Sequence, residues 1–150
     1  MSSLLAFLHH IAASTFVAAL AIELVLIREE LTLKTAHKLP LIDLAAGISA
    51  GVVLIVGAVR VMYFEKGADY YLHSAPFIAK IALFVIIALL SIFPTIEFLI
   101  WLKPLGQGQL PVVSEQKQRL LRAIIHAELG LVVLLILCAT LMARGVGYFG

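Results

Sequence analysis

Residues 76–101 read PFIAKIALFVIIALLSIFPTIEFLIW, and this stretch decides the fold. It contains only two ionisable side chains, Lys80 and Glu97, and every other position is uncharged. About 20 predominantly apolar residues in an α-helix cross the hydrocarbon core of a bilayer. We therefore predict that residues 76–101 form a transmembrane helix.

Three other stretches have the same character, namely residues 4–27, 41–62 and 123–143. The 150-residue chain is 63% hydrophobic and only 13% charged, with a mean hydropathy of +1.10. Soluble domains carry about 25% charged residues. The sequence therefore predicts an all-α integral membrane four-helix bundle that occupies residues 1–150 as a single domain.

Composition also excludes several classes of protein. The net charge of +2 and the scattered basic residues do not favour a nucleic-acid partner. Cys138 is the one cysteine, so the chain has no disulfide framework and no cysteine metal cluster. The first eight residues carry no Lys or Arg, and the apolar stretch behind them is too long for a signal peptide. We expect the first helix to be retained.

Basic residues in the connections indicate the orientation. The first and third loops with their flanks carry seven: Arg28, Lys34, Lys38, Lys103, Lys117, Arg119 and Arg122. The remaining connections and termini carry four: Arg60, Lys66, Lys80 and Arg144. We predict a multi-pass protein of the bacterial inner membrane with both termini in the periplasm.

Prolines and glycines mark further features of the helices. Pro40 and Pro76 are predicted to open the second and third spans, and Pro94 predicts a kink inside the third. Gly47 and Gly51 form a small-xxx-small face, which lets helix backbones approach closely. This face suits either packing within the bundle or a homodimer.

Six ionisable residues inside the spans form two groups at different depths. His9, Arg60 and Lys80 are expected near one membrane face, whereas Glu23, Glu97 and Glu128 are expected towards the other. A charged group at the centre of a membrane helix costs roughly 2.5 to 3.5 kcal/mol even on the lenient insertion scale. The pattern therefore indicates function rather than inert packing.

The basic group has the chemistry of a haem site. His9 shares a heptad stripe with Phe16 and Glu23, whereas His10 points about 100° away from it. A second imidazole, His73, shares a face with Lys80 if the third helix begins early enough. Imidazoles beside two cations suit a haem iron and its two propionates.

The sequence thus predicts a haem, with His9 as the candidate iron ligand and His73 or His10 as a weaker second ligand. Arg60 and Lys80 are the candidate anchors for the propionates or for an anionic substrate. The alternatives are a histidine that only links helices by hydrogen bonds, and cations that extend to the membrane surface without a function.

The acidic group admits two interpretations. In the first, Glu23 and Glu97 form ion pairs with Arg28 or Arg122 of neighbouring helices. In the second, they belong to a proton route or to a second cofactor-binding site. His126 is the candidate ligand of such a second site. Ligation of one haem by both His9 and His126 is disfavoured, because much of the bilayer thickness separates them.

Several segments carry a resemblance to a known family. Residues 6–9 (AFLH) and 15–20 (TFVAAL), the Lys80-bearing run 77–83 (FIAKIAL) and Arg60 resemble the HemJ-type protoporphyrinogen oxidases. Arg122 with Glu128 weakly resembles the Arg and Asn-Glu-x-Pro segment of that family. The resemblance implies a b-type haem and a porphyrinogen substrate.

This chain departs from the HemJ pattern at two places. Phe16 stands where that family has Trp, and residues 127–130 read AELG instead of Asn-Glu-x-Pro. The chain is also similar to small four-helix bacterial inner-membrane proteins of unknown function and, more distantly, to the CopD copper-resistance domain.

We therefore expect a haem-binding inner-membrane redox protein that oxidises a porphyrinogen or passes electrons to quinone. Its expected partners are lipid, porphyrin or haem, quinone and a second copy of itself. Transport of copper or protons and an accessory subunit without chemistry remain alternatives. Copper is the weaker of these, because soft sulfur ligands are scarce: Met1, Met62, Met142 and Cys138.

Overall fold

The computed structural model describes residues 2–65 and 67–149 of the chain. Lys66, one of the basic residues used above to orient the chain, and Met1 lie outside the described residues. The described part forms five helices: α1 (Ser2–Arg28), α2 (Leu33–Tyr63), α3 (Ala68–Leu72), α4 (Ala75–Gly106) and α5 (Glu115–Ala143).

The predicted all-α membrane bundle is confirmed. Four helices, α1, α2, α4 and α5, are each long and apolar enough to cross a membrane. α1 packs against α2 and α5, and α4 packs against the same two helices, so the four surround a common interior. The start of α1, the end of α5 and α3 lie at one end of this bundle, which we call the terminal end. The α1–α2 and α4–α5 connections lie at the other, the loop end.

The second helix begins eight residues earlier than predicted. Pro40 does not open α2 but lies inside it. A capping box starts the helix instead, because the Thr35 amide donates to the Thr32 hydroxyl and the Thr32 amide donates back to the Thr35 hydroxyl. Ala36 and Leu39 are fully buried in this extension and hold it against the other helices.

The α4–α5 connection is also shorter than predicted. α4 continues to Gly106 with Pro104 in its last turns, and α5 already begins at Glu115. The Ser114 hydroxyl caps α5 by accepting a hydrogen bond from the Lys117 amide. Leu121, which the predicted span left out, is fully buried. In both α2 and α5, amphipathic turns outside the apolar stretch pack against the bundle. These turns make each helix longer than predicted.

Two apolar clusters fill the interior. The cluster at the loop end is built from all four long helices: Leu26, Ile27, Ala36, Leu39, Phe98, Trp101, Leu105, Leu121 and Ile125. The second cluster lies nearer the terminal end: Phe16, Ala19, Leu20, Ala46, Ile87 and Val132. Many large apolar side chains on the outer helix faces remain exposed, as lipid-facing positions require.

The glycine pair of α2 does not pack helices within the bundle. A Cβ atom added at Gly47 or at Gly51 would meet no atom within 4 Å. Close packing within the bundle is therefore excluded for this face among the described residues. The other alternative, a homodimer contact, stays a prediction. Pro94 is buried inside α4.

The C-terminal residues fold back to cap the terminal end. The Ala75 amide donates to the Gly147 carbonyl, and the Phe149 amide donates to the His73 carbonyl, both at 3.0 Å. The ring of Tyr148 stacks on Tyr70 of α3 at a centroid distance of 4.6 Å. The tail thereby fixes the junction between α3 and α4.

This cap generates a prediction at Gly147. Its φ of 77° is unfavourable for any residue with a Cβ atom, and a Cβ there would lie 2.9 Å from Cδ of Pro76. Gly147→Ala should therefore release the tail, at a cost of about 1–2 kcal/mol from the backbone alone. Hydrogen exchange followed by mass spectrometry should show faster exchange in residues 144–149.

Gly106→Ala is the matched control, because a Cβ at Gly106 meets nothing within 4 Å. It should leave exchange in the tail unchanged. Equal exchange of the tail in the wild type and in Gly147→Ala would contradict this account of the cap.

Candidate functional site

Three basic side chains from three helices meet inside the terminal end. His9 comes from α1, Arg60 from α2 and Lys80 from α4, and both cations lie close enough to act electrostatically on the His9 ring. His9 is half-buried and continues the inward stripe of Phe16 and Glu23, which are both buried. The structure thus brings these three residues together as the sequence predicts. We call them the basic layer.

The His9 ring rests against the backbone of α2. A Cβ atom added at Gly57 would lie 3.2 Å from Cε1 of His9, so the glycine makes room for the ring. Nδ1 of His9 is buried and has no hydrogen-bond partner among the described residues. Leaving such a group unsatisfied costs about 1–3 kcal/mol. A ligand, a metal ion or a water molecule would satisfy this nitrogen, and the Val53 backbone also lies near enough to act on the ring.

Arg60, a candidate anchor for a propionate or an anionic substrate, already has a carboxylate partner. Its guanidinium donates to the Glu65 carboxylate at 2.5 Å, and the Tyr71 hydroxyl donates to the other oxygen of Glu65 at 3.5 Å. Burial, together with the adjacent Glu65 carboxylate, raises the pKa of Tyr71, which keeps its hydroxyl a donor. The prediction missed this carboxylate because Glu65 lies in the connection beyond α2 rather than in a span.

Lys80 remains the cation without a partner. It is half-buried, and within residues 2–65 and 67–149 it makes no hydrogen bond or ion pair. Arg60 and the Cys138 thiol of α5 lie close enough to act on it electrostatically. Its unbalanced positive charge therefore adds to the unsatisfied nitrogen of His9 in the same layer.

The other two histidines of the terminal end are engaged elsewhere. Nδ1 of His10 lies 2.6 Å from the Ala6 carbonyl, and its ring is exposed on the outer face of α1. His73 precedes α4, which begins at Ala75, so it does not share a helical face with Lys80 as predicted. Its Nδ1 lies 2.9 Å from the Asp69 carbonyl.

His126 lies at the opposite end of the bundle. It is exposed, and its Nδ1 lies 3.5 Å from the Arg28 guanidinium at the end of α1. His9 and Arg28 are 19 residues apart on the same helix, which corresponds to roughly 28 Å at about 1.5 Å per residue. His9 and His126 therefore do not share a site, as the sequence predicts.

A second polar layer lies deeper in the bundle. Glu23 of α1, Asp43 of α2 and Glu128 of α5 lie close enough for their charges to interact. Glu23 and Glu128 are each only 1% exposed. Oε1 of Glu23 has no hydrogen-bond partner among the described residues. We call these three residues the carboxylate layer.

Two hydroxyl groups of α4 complete this layer. Ser91 donates a short hydrogen bond to Glu128. Thr95, one turn further along the same face, donates to Asp43 at 3.0 Å. Ser91 lies at the middle of α4. The layer therefore lies deep within the span.

The carboxylate layer lines a cavity of about 280 Å³. The other walls are mostly apolar, and none of the residues that line it is basic. Gly47 of α2 and Ala88 of α4 line the same cavity and are also exposed on the outside of the bundle. The cavity therefore opens sideways between α2 and α4, at the level of the hydrocarbon.

Glu97 does not belong to the carboxylate layer. It pairs with Lys117 of α5 at 2.9 Å, so the expected interhelical ion pair exists but with a different partner. Arg122 instead donates from Nε to the Ile27 carbonyl at the end of α1. The expected pairing of Glu23 and Glu97 with Arg28 or Arg122 is therefore wrong.

Sequence reasoning missed the two hydroxyls. Ser91 and Thr95 are four residues apart, and Ser91 follows Lys80 by eleven, so all three share one face of α4. Polar side chains in a single row on an otherwise apolar helix are a signal that could have found them. Among the described residues, no group of three His, Cys, Asp or Glu side chains could hold a metal ion.

Comparison with known protein families assigns the chain to a family. A family described as "Predicted membrane protein (DUF2214)" matches residues 1–147. The chain belongs to this DUF2214 family. No curated protein and no solved structure matches it. The resemblance to HemJ-type and CopD-like proteins finds no match in these comparisons and stays an interpretation of the residues.

The Glu97–Lys117 pair generates a prediction for this DUF2214 protein. Glu97 is buried, so removal of its partner leaves a buried carboxylate uncompensated. Lys117→Met should lower the free energy of unfolding in detergent by about 1–3 kcal/mol. Thermal unfolding of purified variants measures the difference.

Arg119→Met provides the matched control. Arg119 pairs with Glu115 within α5, and both side chains are largely exposed. Such surface pairs are typically worth under about 1 kcal/mol. Equal losses for Lys117→Met and Arg119→Met would contradict the structural role of the buried pair.

Proposed function

We propose that this DUF2214 protein binds haem b in the bacterial inner membrane and acts in a redox reaction. The observation that carries the proposal is the inward-facing His9, whose buried Nδ1 lacks a partner beside the unpaired Lys80. A porphyrin supplies a metal for the nitrogen and carboxylates for the cation. Its iron would supply one-electron transfer.

The side-chain chemistry of the basic layer suits such a group. His9 would be the axial ligand, and Lys80 would neutralise a propionate. Arg60 is already paired with Glu65, which also accepts a hydrogen bond from Tyr71. It would therefore bind a second propionate more weakly than Lys80 binds the first. Gly57 helps to set the orientation of the His9 ring, because a larger residue there would press on it.

The other histidines are weaker candidates for the iron. His10 faces outward, and His73 is held at the α3–α4 junction, so neither joins His9 in the basic layer in this structure. His126 lies at the loop end. We therefore propose His9 as the principal protein ligand.

The reaction that we propose is oxidation of a porphyrinogen or electron transfer to quinone. Both substrates are lipophilic and reach a membrane protein from the bilayer. A homodimer also remains part of this proposal.

Proton transport is the second candidate, and the carboxylate layer is the observation that favours it. Two buried carboxylates, Glu23 and Glu128, and the half-buried Asp43 have no basic neighbour in the cavity and can exchange protons inside the membrane. Copper transport has less support, because no three-residue metal group occurs among the described residues.

The haem proposal predicts different consequences for the two adjacent histidines. His9→Ala should reduce haem content per protein by at least tenfold, because it removes the inward nitrogen. His10→Ala should retain most of the haem, because that ring faces outward. Pyridine haemochrome assays on detergent-purified protein at matched yield measure both.

Two further variants keep this test decisive if His9→Ala is poorly folded. His9→Gly supplied with free imidazole should regain haem, and Lys80→Met should weaken its retention. Equal haem loss from His9→Ala and His10→Ala, or full haem in His9→Gly without imidazole, would contradict the assignment.

The basic-residue asymmetry predicts that both termini are periplasmic. An alkaline phosphatase fused at the C-terminus should be active, and a fluorescent protein that matures only in the cytoplasm should be dark there. Fusions after Gln109, in the α4–α5 connection, should show the opposite pattern. Reversal of both results would overturn the topology.

A further inference from the structure

The carboxylate cavity is a second built site, separate from the basic layer. Glu23 and Lys80 mark the two layers, and the apolar cluster around Phe16 and Ile87 lies between them. The haem proposal does not use this cavity. Proton transport would use its carboxylates but does not account for its mostly apolar walls.

The charged groups that face the cavity all have the same sign. Glu23 comes from α1, Asp43 from α2 and Glu128 from α5, whereas α4 contributes the neutral hydroxyls of Ser91 and Thr95. Lys117 and Arg122 are occupied by Glu97 and by the Ile27 carbonyl. No basic residue lines the cavity to balance these carboxylates.

One carboxylate oxygen is also left without a partner. Ser91 and Thr95 satisfy Glu128 and Asp43, but Oε1 of Glu23 is buried without a hydrogen bond among the described residues. Glu23 is 1% exposed and lines the cavity. Buried carboxylates of this kind require a proton or a cation.

The shape of the cavity decides which kind of cation fits. Its walls are mostly apolar, and it opens between Gly47 and Ala88 at the level of the lipid chains. An inorganic ion would have to shed its water to arrive by this route. An organic cation with an apolar body can reach it directly from the bilayer.

We propose that this cavity binds a lipophilic organic cation, which enters laterally between α2 and α4. The cation is held by Glu23, with Asp43 and Glu128 beside it. When the cation binds, a carboxyl proton is released, so cation and proton compete for the same site.

The test uses phenyltrimethylammonium and its neutral isostere tert-butylbenzene, with the full-length protein in lipid nanodiscs. The cation should bind saturably and at least tenfold more tightly than the isostere. It should release protons into a weakly buffered medium, and its affinity should fall as the pH is lowered. Glu23→Gln should weaken binding at least tenfold.

Glu97→Gln is the matched control, because Glu97 is a buried glutamate outside the cavity. It should leave cation binding within about twofold. Gly51→Leu should block the opening and weaken binding without changing the oligomeric state. Haem content should be unchanged in Glu23→Gln, which separates this proposal from the haem proposal.

Three results would overturn the proposal. Equal binding of the cation and the neutral isostere would remove the role of charge. Equal losses in Glu23→Gln and Glu97→Gln would place the effect outside the cavity. Dissociation of a dimer by Gly51→Leu, with cation affinity unchanged, would make this face a subunit contact instead of an entrance.

Discussion

The energetic cost of charge in hydrocarbon governs the placement of polar groups in this protein. A transmembrane helix satisfies its own backbone, but its ionisable side chains must turn inward or reach the membrane surface. His9, Glu23 and Glu128 accordingly lie on inward stripes, whereas the lipid-facing surfaces are rich in apolar side chains. The ionisable side chains available for chemistry within the spans therefore lie in the interior of the bundle.

The interior is organised as two polar layers with an apolar cluster between them. His9 and Glu23 are 14 residues apart on α1, which is roughly 21 Å at about 1.5 Å per residue. Cationic groups occupy the layer at the terminal end, and carboxylates occupy the deeper layer. An anionic ligand suits the first layer and a cationic ligand the second, so the two proposals address separate sites of one bundle.

Much of this arrangement could be predicted from the sequence, because hydropathy and helical periodicity report on burial directly. The four spans, the inward direction of His9 and the outward direction of His10 follow from those two patterns. The helix ends were less predictable, because Pro40 and Leu121 lie in turns that packing and capping stabilise beyond the apolar stretches. Local capping outweighed the usual position of proline at a helix start.

Partners that depend on tertiary structure could not be predicted from the sequence. Glu65 reaches Arg60 from a connection, and Lys117 reaches Glu97 from a neighbouring helix. Neither contact has a signature in the spacing of residues. The cavity was equally hidden, since it arises where Gly47 and Ala88 leave space between two helices.

The visible spectrum of the wild-type protein, purified in detergent from a haem-replete bacterial host, tests the central claim most directly. We expect a Soret band that shifts when dithionite reduces the iron, with a pyridine haemochrome spectrum characteristic of haem b. A colourless preparation of folded, monodisperse protein would contradict the assignment of the basic layer as a haem site.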